Sequence, residues 1–137
     1  MDKEKPILYF ENKETTQACL EEWQKILYLN DWIISVDIVT RDQMKNSDFR
    51  GQNLFNISNK VAEIYILRPE DYFDNLLKYC AEQILIHELL HCKYNWLVLS
   101  DNAEGRFMDE MLHQKLEEMS RSLIMAKYGV SPKWFRA

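Results

Sequence analysis

His87, Glu88 and His91 stand at the spacing HExxH, inside the run ILIHELLHCKYNW. Two histidines four apart on a helix project to one side, about one turn from each other. Both imidazoles can then reach one Zn²⁺ at roughly 2 Å. Glu88 sits between them and can reach a water on the same ion. A zinc ion lowers the pKa of that water and polarises a carbonyl, while the carboxylate takes the proton and later returns it to a leaving amine. The pattern therefore points to metal-assisted hydrolysis of a peptide bond, with His87 and His91 as ligands and Glu88 as general base.

Three protein ligands are usual in a catalytic zinc site, which leaves one to find. The chain has three histidines, and the third is His113 in DEMLHQKLEEMS. His113 and Glu117 are four apart and share a helix face. One can bind the metal while the other holds a neighbouring group by hydrogen bond. Glu110, Glu104, Glu117 and Asp109 are chemically suitable alternatives to His113, and each is equally readable as a solvated helix acid. Tyr94 shares a side with His91, but a packed tyrosine at a helix end is the commoner arrangement. Cys92 points about 100° away from His91 and reads as core. Trp96 is a candidate for the rim of the cleft.

These residues need elements to carry them. A helix is expected from Thr15 to about Asn30, capped by Thr15 or Thr16, with Leu20, Trp23, Ile26 and Leu27 recurring at three and four. Ile7–Phe10 can add a short strand. Residues 32–39, WIISVDIV, read as a strand, and 41–50 as a loop. Gln52–Ile57 and Val61–Leu67 flank Ser58-Asn59-Lys60 and suggest an antiparallel hairpin. The second of these, VAEIYIL, is the candidate edge for an extended substrate. Pro69 stops it, and a long helix from about Asp71 to Tyr94 is expected to carry the histidines, burying Leu76, Leu77 and Cys80. After a connection over 95–102, a last helix spans Ala103 to Tyr128, with Met108, Met111, Leu112, Leu116, Met119 and Leu123 as its core stripe. Gly129 and Pro132 end it, and Trp134-Phe135 packs back on the body. The expected fold class is α+β: an N-terminal helix, a small three-stranded, mainly antiparallel sheet, the HExxH helix and a C-terminal helix, in one domain over residues 1–137.

The bulk numbers agree with such a domain. The 137 residues are 47% hydrophobic and 28% charged, ordinary for a folded protein. Gly and Pro number three each, which argues for regular elements and against a glycine-loop nucleotide site. A net charge of −5 lacks the basic excess of nucleic-acid binders and makes anionic membranes poor partners. The opening MDKEKPILYF has no apolar stretch of signal-peptide type, and no apolar run approaches the roughly 20 residues of a membrane span. Cys19, Cys80 and Cys92 are odd in number and form no CxxC pair. A reduced, cytoplasmic protein is expected.

From about Leu27 to Leu123 the chain resembles the small single-domain zincin metallopeptidases of bacteria and their phages. A helix precedes a strand like WIISVDIV, then one like KVAEIYIL, then ILIHELLHCKY, which is similar to the ILVHELLH stretch of that group. Their final helix often carries Glu-x-x-Ile-Asp-x-Leu-Ala, whose Glu completes a gluzincin-like site. The corresponding stretch runs from His113 to Ser120, so His113 stands where that Glu stands and Glu117 where the supporting Asp stands. The exchange keeps a metal donor and changes the site charge by one unit. The metzincin pattern HExxHxxGxxH is absent. The resemblance implies a minimal zincin-like fold, Zn²⁺ on His87, His91 and His113, and peptide or protein substrates. It does not name a substrate. A regulatory or interaction protein of a phage or mobile element, built on a zincin body with little general proteolysis, is the alternative expectation.

Overall fold

Asn12 opens the first helix. Its side-chain oxygen accepts the backbone N–H of Thr15 at 2.7 Å and the Thr15 hydroxyl at 2.8 Å, so Asn12 is the cap in place of Thr15 or Thr16. The computed structural model describes residues 4–44, 49–95 and 103–137, the last stretch with side chains from 107 onward. Helix α1 spans Lys13–Ile26 and buries Thr16, Cys19, Leu20 and Trp23. It ends earlier than its pattern suggests, because Tyr28 turns into the left-handed region at φ 58°. Ile26 is left exposed.

The sheet has three strands: β1 (Ile33–Val39), β2 (Gly51–Asn56) and β3 (Val61–Leu67). Their spatial order is β1-β3-β2. β2 and β3 form the expected antiparallel hairpin, and Lys60, at φ 55°, closes its turn. β1 pairs with β3 in parallel, from Ile33 opposite Val61 to Val39 opposite Leu67, so the sheet is mixed. VAEIYIL is therefore the central strand, and the substrate edge expected there does not exist. Both of its flanks are already hydrogen-bonded. Its alternation does predict the faces correctly. Ala62, Ile64 and Ile66 are buried under the helices, while Val61 and Glu63 face out.

Helix α2, Ala81–Tyr94, is ten residues shorter than the sequence pattern implies. Two competing sets of bonds take the chain out of helix over 72–80. Asp74 accepts the N–H groups of Leu76 at 2.7 Å and Leu77 at 3.0 Å, an Asx-type turn. Lys78 N–H donates to Phe135 O at 2.7 Å and Ala137 N–H to Leu76 O at 3.0 Å, pairing this stretch with the C-terminal tail. Leu76 is consequently exposed, and Leu77 only partly covered. The first turn of α2 then finds acceptors far away in sequence. Ala81 and Glu82 N–H donate to Leu8 O and Ile7 O at 3.0 and 3.1 Å. Ile7–Phe10 thus caps a helix and adds no strand.

α2 has no polar side along its first ten residues: every position from Ala81 to Leu90 is buried. A helix covered all round lies inside a domain. The sheet covers one side, and α1 and the third helix cover others. Its one buried charge of the first turn, Glu82, is held by four donors from three parts of the chain. Trp23 Nε1 donates at 2.8 Å, Tyr128 O–H at 2.6 Å, Lys127 Nζ at 3.2 Å and Ile7 N–H at 2.9 Å. Such a network fixes the rotation of α2, since a buried carboxylate left unpaired costs several kcal/mol.

Helix α3 spans Ala103–Tyr128, as its pattern predicts, and Gly129 follows at φ 70°. Its buried row is Leu116, Ser120, Ile124 and Tyr128, at a strict spacing of four. Met108, Met111 and Met119 are exposed, so the expected methionine core stripe lies outside the packed face. Phe135 is buried and Trp134 packs beside it, closing the tail on the body as expected. No helix among the described residues is long and apolar enough to cross a membrane.

A candidate three-histidine metal centre between two helices

His87 and His91 sit one turn apart near the end of α2, and α3 brings His113 over them. The ring centroids lie 5.0 Å apart for His87 and His91, 4.6 Å for His87 and His113, and 5.4 Å for His91 and His113. The ligand atoms of the three all lie within 4.8 Å of one another. His87 Nε2 and His91 Nε2 are 3.2 Å apart. Two nitrogens bound tetrahedrally at about 2.0–2.1 Å stand about 3.3 Å apart, so this pair is already spaced for one ion. The cluster can hold a metal. Burial, then the neighbouring His87 and His113, pulls the His91 pKa down to about 3. His113 is lowered as well, with burial again the largest cause. Both rings are thus neutral donors at ordinary pH.

Glu117 orients the ring of His87. Its carboxylate lies 2.8 Å from His87 Nδ1, which leaves Nε2 to face the other histidines. Burial works against the charge of Glu117. The hydrogen bond to His87, the Arg50 guanidinium and Arg121 outweigh it and hold the group well below the usual carboxylate range. Arg50 Nη2 donates at 2.8 Å, Arg121 Nη2 at 2.6 Å and Gln83 Nε2 at 2.9 Å. Gln83 also receives Arg50 Nη1 at 3.2 Å, so the entry to β2 is tied to both helices. Nothing in the spacing of Arg50, Gln83 or Arg121 marks them for this role. The one sequence signal was Glu117, four residues from His113.

Glu88 lies under β2. Burial pushes its pKa up to about 7, against the lowering influence of His87 and Arg50. The strand can come this close because residue 51 has no side chain. A Cβ there would stand 2.9 Å from Glu88 Oε2 and 2.8 Å from Ile84 Cγ2. Two residues on, Asn53 Nδ2 donates to Glu88 O at 2.8 Å and contacts Cys92 Sγ at 3.1 Å. Cys92 is buried core, as its direction on the helix predicts.

A recess of about 110 Å³ is lined by Phe49, Arg50, Gly51, His87, Glu88 and His113. It adjoins a wider opening of about 260 Å³ that reaches Asn53, Phe55, His91 and Asp109. Of the alternative third ligands, Asp109 lines this opening and Glu117 is engaged behind His87. Glu110 is exposed and lines neither part. The side chain of Glu104, and Trp96 altogether, lie outside the described residues. Tyr94 lines a separate apolar groove with Met108, Met111 and Leu116, away from the histidine cleft.

No protein-family model matches the chain, and no curated protein and no solved structure is significantly similar to it.

Proposed function

We propose that this protein is a zinc-dependent metallopeptidase of zincin type, with His87, His91 and His113 as ligands and Glu88 as general base. The observation that carries the reading is the convergence of three imidazoles from two helices beside a buried, proton-affine carboxylate in an open cleft. A bound Zn²⁺ would lower the pKa of a water in this cleft and polarise a peptide carbonyl. Glu88 takes the proton from that water and delivers it to the departing amine. Its raised pKa suits both halves of this exchange.

Substrate is held by β2. Leu67 N–H donates to Arg50 O at 2.8 Å, which sets the phase of the β2–β3 ladder. Gln52 and Leu54 bond inward to β3, so Gly51, Asn53 and Phe55 turn their N–H and C=O groups to the open edge. An extended peptide paired there passes Glu88 at Gly51. The edge role expected of β3 thus falls to its hairpin partner.

The small recess favours a second reading, a regulatory zincin with one narrow target. At 110 Å³ the recess is well below the roughly 300–1,000 Å³ of ordinary ligand pockets. A single experiment addresses both. Protein purified without added metal is assayed for zinc content and for turnover of a mixed peptide library, beside Glu88→Gln. One zinc per chain, with turnover in the wild type and a loss of about 10²–10⁴-fold in the variant, supports the peptidase. Zinc without turnover of any peptide supports the narrow regulator. A folded chain that takes up no zinc defeats both.

A further inference from the structure

The sheet has a second edge, and it is not the one beside the metal. Ile33 N–H donates to Lys60 O at 2.9 Å, and Val39 O accepts from Arg68 N–H at 2.8 Å. The odd-numbered residues of β1 therefore bond to β3, and Ile34, Val36 and Ile38 turn their N–H and C=O groups outward. Among the described residues none of these six groups has a hydrogen-bond partner. A groove of about 460 Å³ runs along this strand, lined also by Phe10, Lys13 and Thr16. Of the devices that blunt an edge, the strand carries only one charged side chain, Asp37. It has seven residues, no Pro and no Lys, and Ile33 is 71% exposed.

We propose that β1 pairs with β1 of a second copy of this chain, antiparallel about a two-fold axis through Val36, forming a continuous six-stranded sheet. The sequence IISVDIV is complementary to itself in this register. Val36 exchanges both bonds with Val36 of the second copy, and Ile34 does so with Ile38. Every outward group of the strand is then satisfied. On the helix-covered face Ile34 meets Ile38, and Val36 meets Val36. On the other face Ile33 meets Val39, and Ser35 meets Asp37. The strand's single charge thus opposes a hydroxyl. Slipping two residues one way sets Asp37 against Asp37. Slipping two the other way sets Ile38 beyond the strand, against Trp32. Slipping by one opposes outward groups with inward ones. The pairing is isologous and closes on itself. It leaves β2 and the metal cleft at the outer ends of the six-stranded sheet, open in both copies.

The test uses the full chain with zinc supplied. Light scattering over a concentration series should show a mass rising from 16.5 kDa toward twice that value. Ser35 is exposed, so its replacement leaves the fold intact. Ser35→Glu places two like-charge pairs across the axis and should raise the concentration of half-dimer about tenfold, whereas Ser35→Lys, facing Asp37, should lower it. Val36→Cys sets two thiols on the axis with Cα atoms about 5.5 Å apart, within disulfide reach. The native cysteines are all buried. Mild oxidation should therefore give a covalent dimer of Val36→Cys and not of Ser35→Cys. A wild-type mass that stays at one chain throughout overturns the proposal. So does a dimer that responds equally to Ser35→Glu and Ser35→Lys, or one trapped through position 35 in preference to 36.

Discussion

His113 is the residue on which the site is most exposed to disproof, because it reaches the other two histidines from a different helix and from the solvent side. His113→Ala should lower zinc affinity by at least about 100-fold. Glu110→Ala should leave it within about twofold, since that carboxylate is solvated and away from the cleft. Competition against a chelator of known affinity measures both. Retention of the metal by His113→Ala with release by Glu110→Ala would transfer the ligand role. Glu117→Gln belongs to the same series. It keeps the shape but not the charge that holds His87 Nδ1, and a supporting carboxylate of this kind typically contributes 10–100-fold in affinity.

At the scale of elements, the site depends on how closely β2 rides over α2. Gly51 is the contact point, and its hydrogen is what fits between strand and helix. Gly51→Ala forces a methyl against Ile84 Cγ2 and Glu88 Oε2, so either the strand lifts or the carboxylate turns away. Overpacking of this kind costs about 1–3 kcal/mol. The atoms nearest a Cβ at residue 51 belong to Ile84 and Glu88 and not to the three histidines, so on the proposed reading the variant should bind metal normally while losing most of its turnover. Metal content, peptide turnover and a denaturant melt on one preparation separate these effects. Equal loss of zinc and activity would mean that Gly51 supports the whole helix pair and not Glu88 in particular.

For the whole molecule, the buried titratable groups of the site set how the metal-stripped protein responds to acid. His91, lowered to about 3, refuses a proton that the unfolded chain accepts near 6.5. Its contribution is full above 6.5 and is lost as pH falls toward 3, at roughly 1 kcal/mol per pH unit. Glu88 has the opposite sign. Raised to about 7, it holds a proton that the unfolded chain releases near 4.5, so acidification from 7 to 4.5 favours the folded state. The two nearly offset each other between 6.5 and 4.5. Below that, Glu117, whose pKa is depressed, joins His91 and stability falls. The stripped wild type, whose His113 is lowered too, should therefore lose stability gradually from about pH 6.5 to 4.5 and steeply beneath it. Stripped Glu88→Gln lacks the Glu88 offset and should lose stability more steeply from 6.5 downward. Denaturant midpoints across that range decide it, and coincident profiles would show that Glu88 does not hold its proton in the folded state.

HExxH placed two donors and a carboxylate on one helix turn because a local period of 3.6 residues needs no partner to be read. The same locality made the α+β element order, the β2–β3 hairpin, the faces of VAEIYIL and the span of α3 legible. Helix lengths and strand neighbours were not. Residues 72–80 carry a helical pattern, but Asp74 and the tail at Phe135 and Ala137 compete for their backbone groups, and that competitor lies some sixty residues on. β1 could have joined either side of the hairpin. The parallel choice, which put VAEIYIL in the centre and left β2 to the cleft, depends on where α1 and α2 pack. Glu117 was readable as a partner of His113 by spacing alone. Arg50 and Gln83, which steady it, and Gly51, which admits Glu88, were not, since a close approach between strand and helix is a property of the packed molecule and leaves no period in the chain.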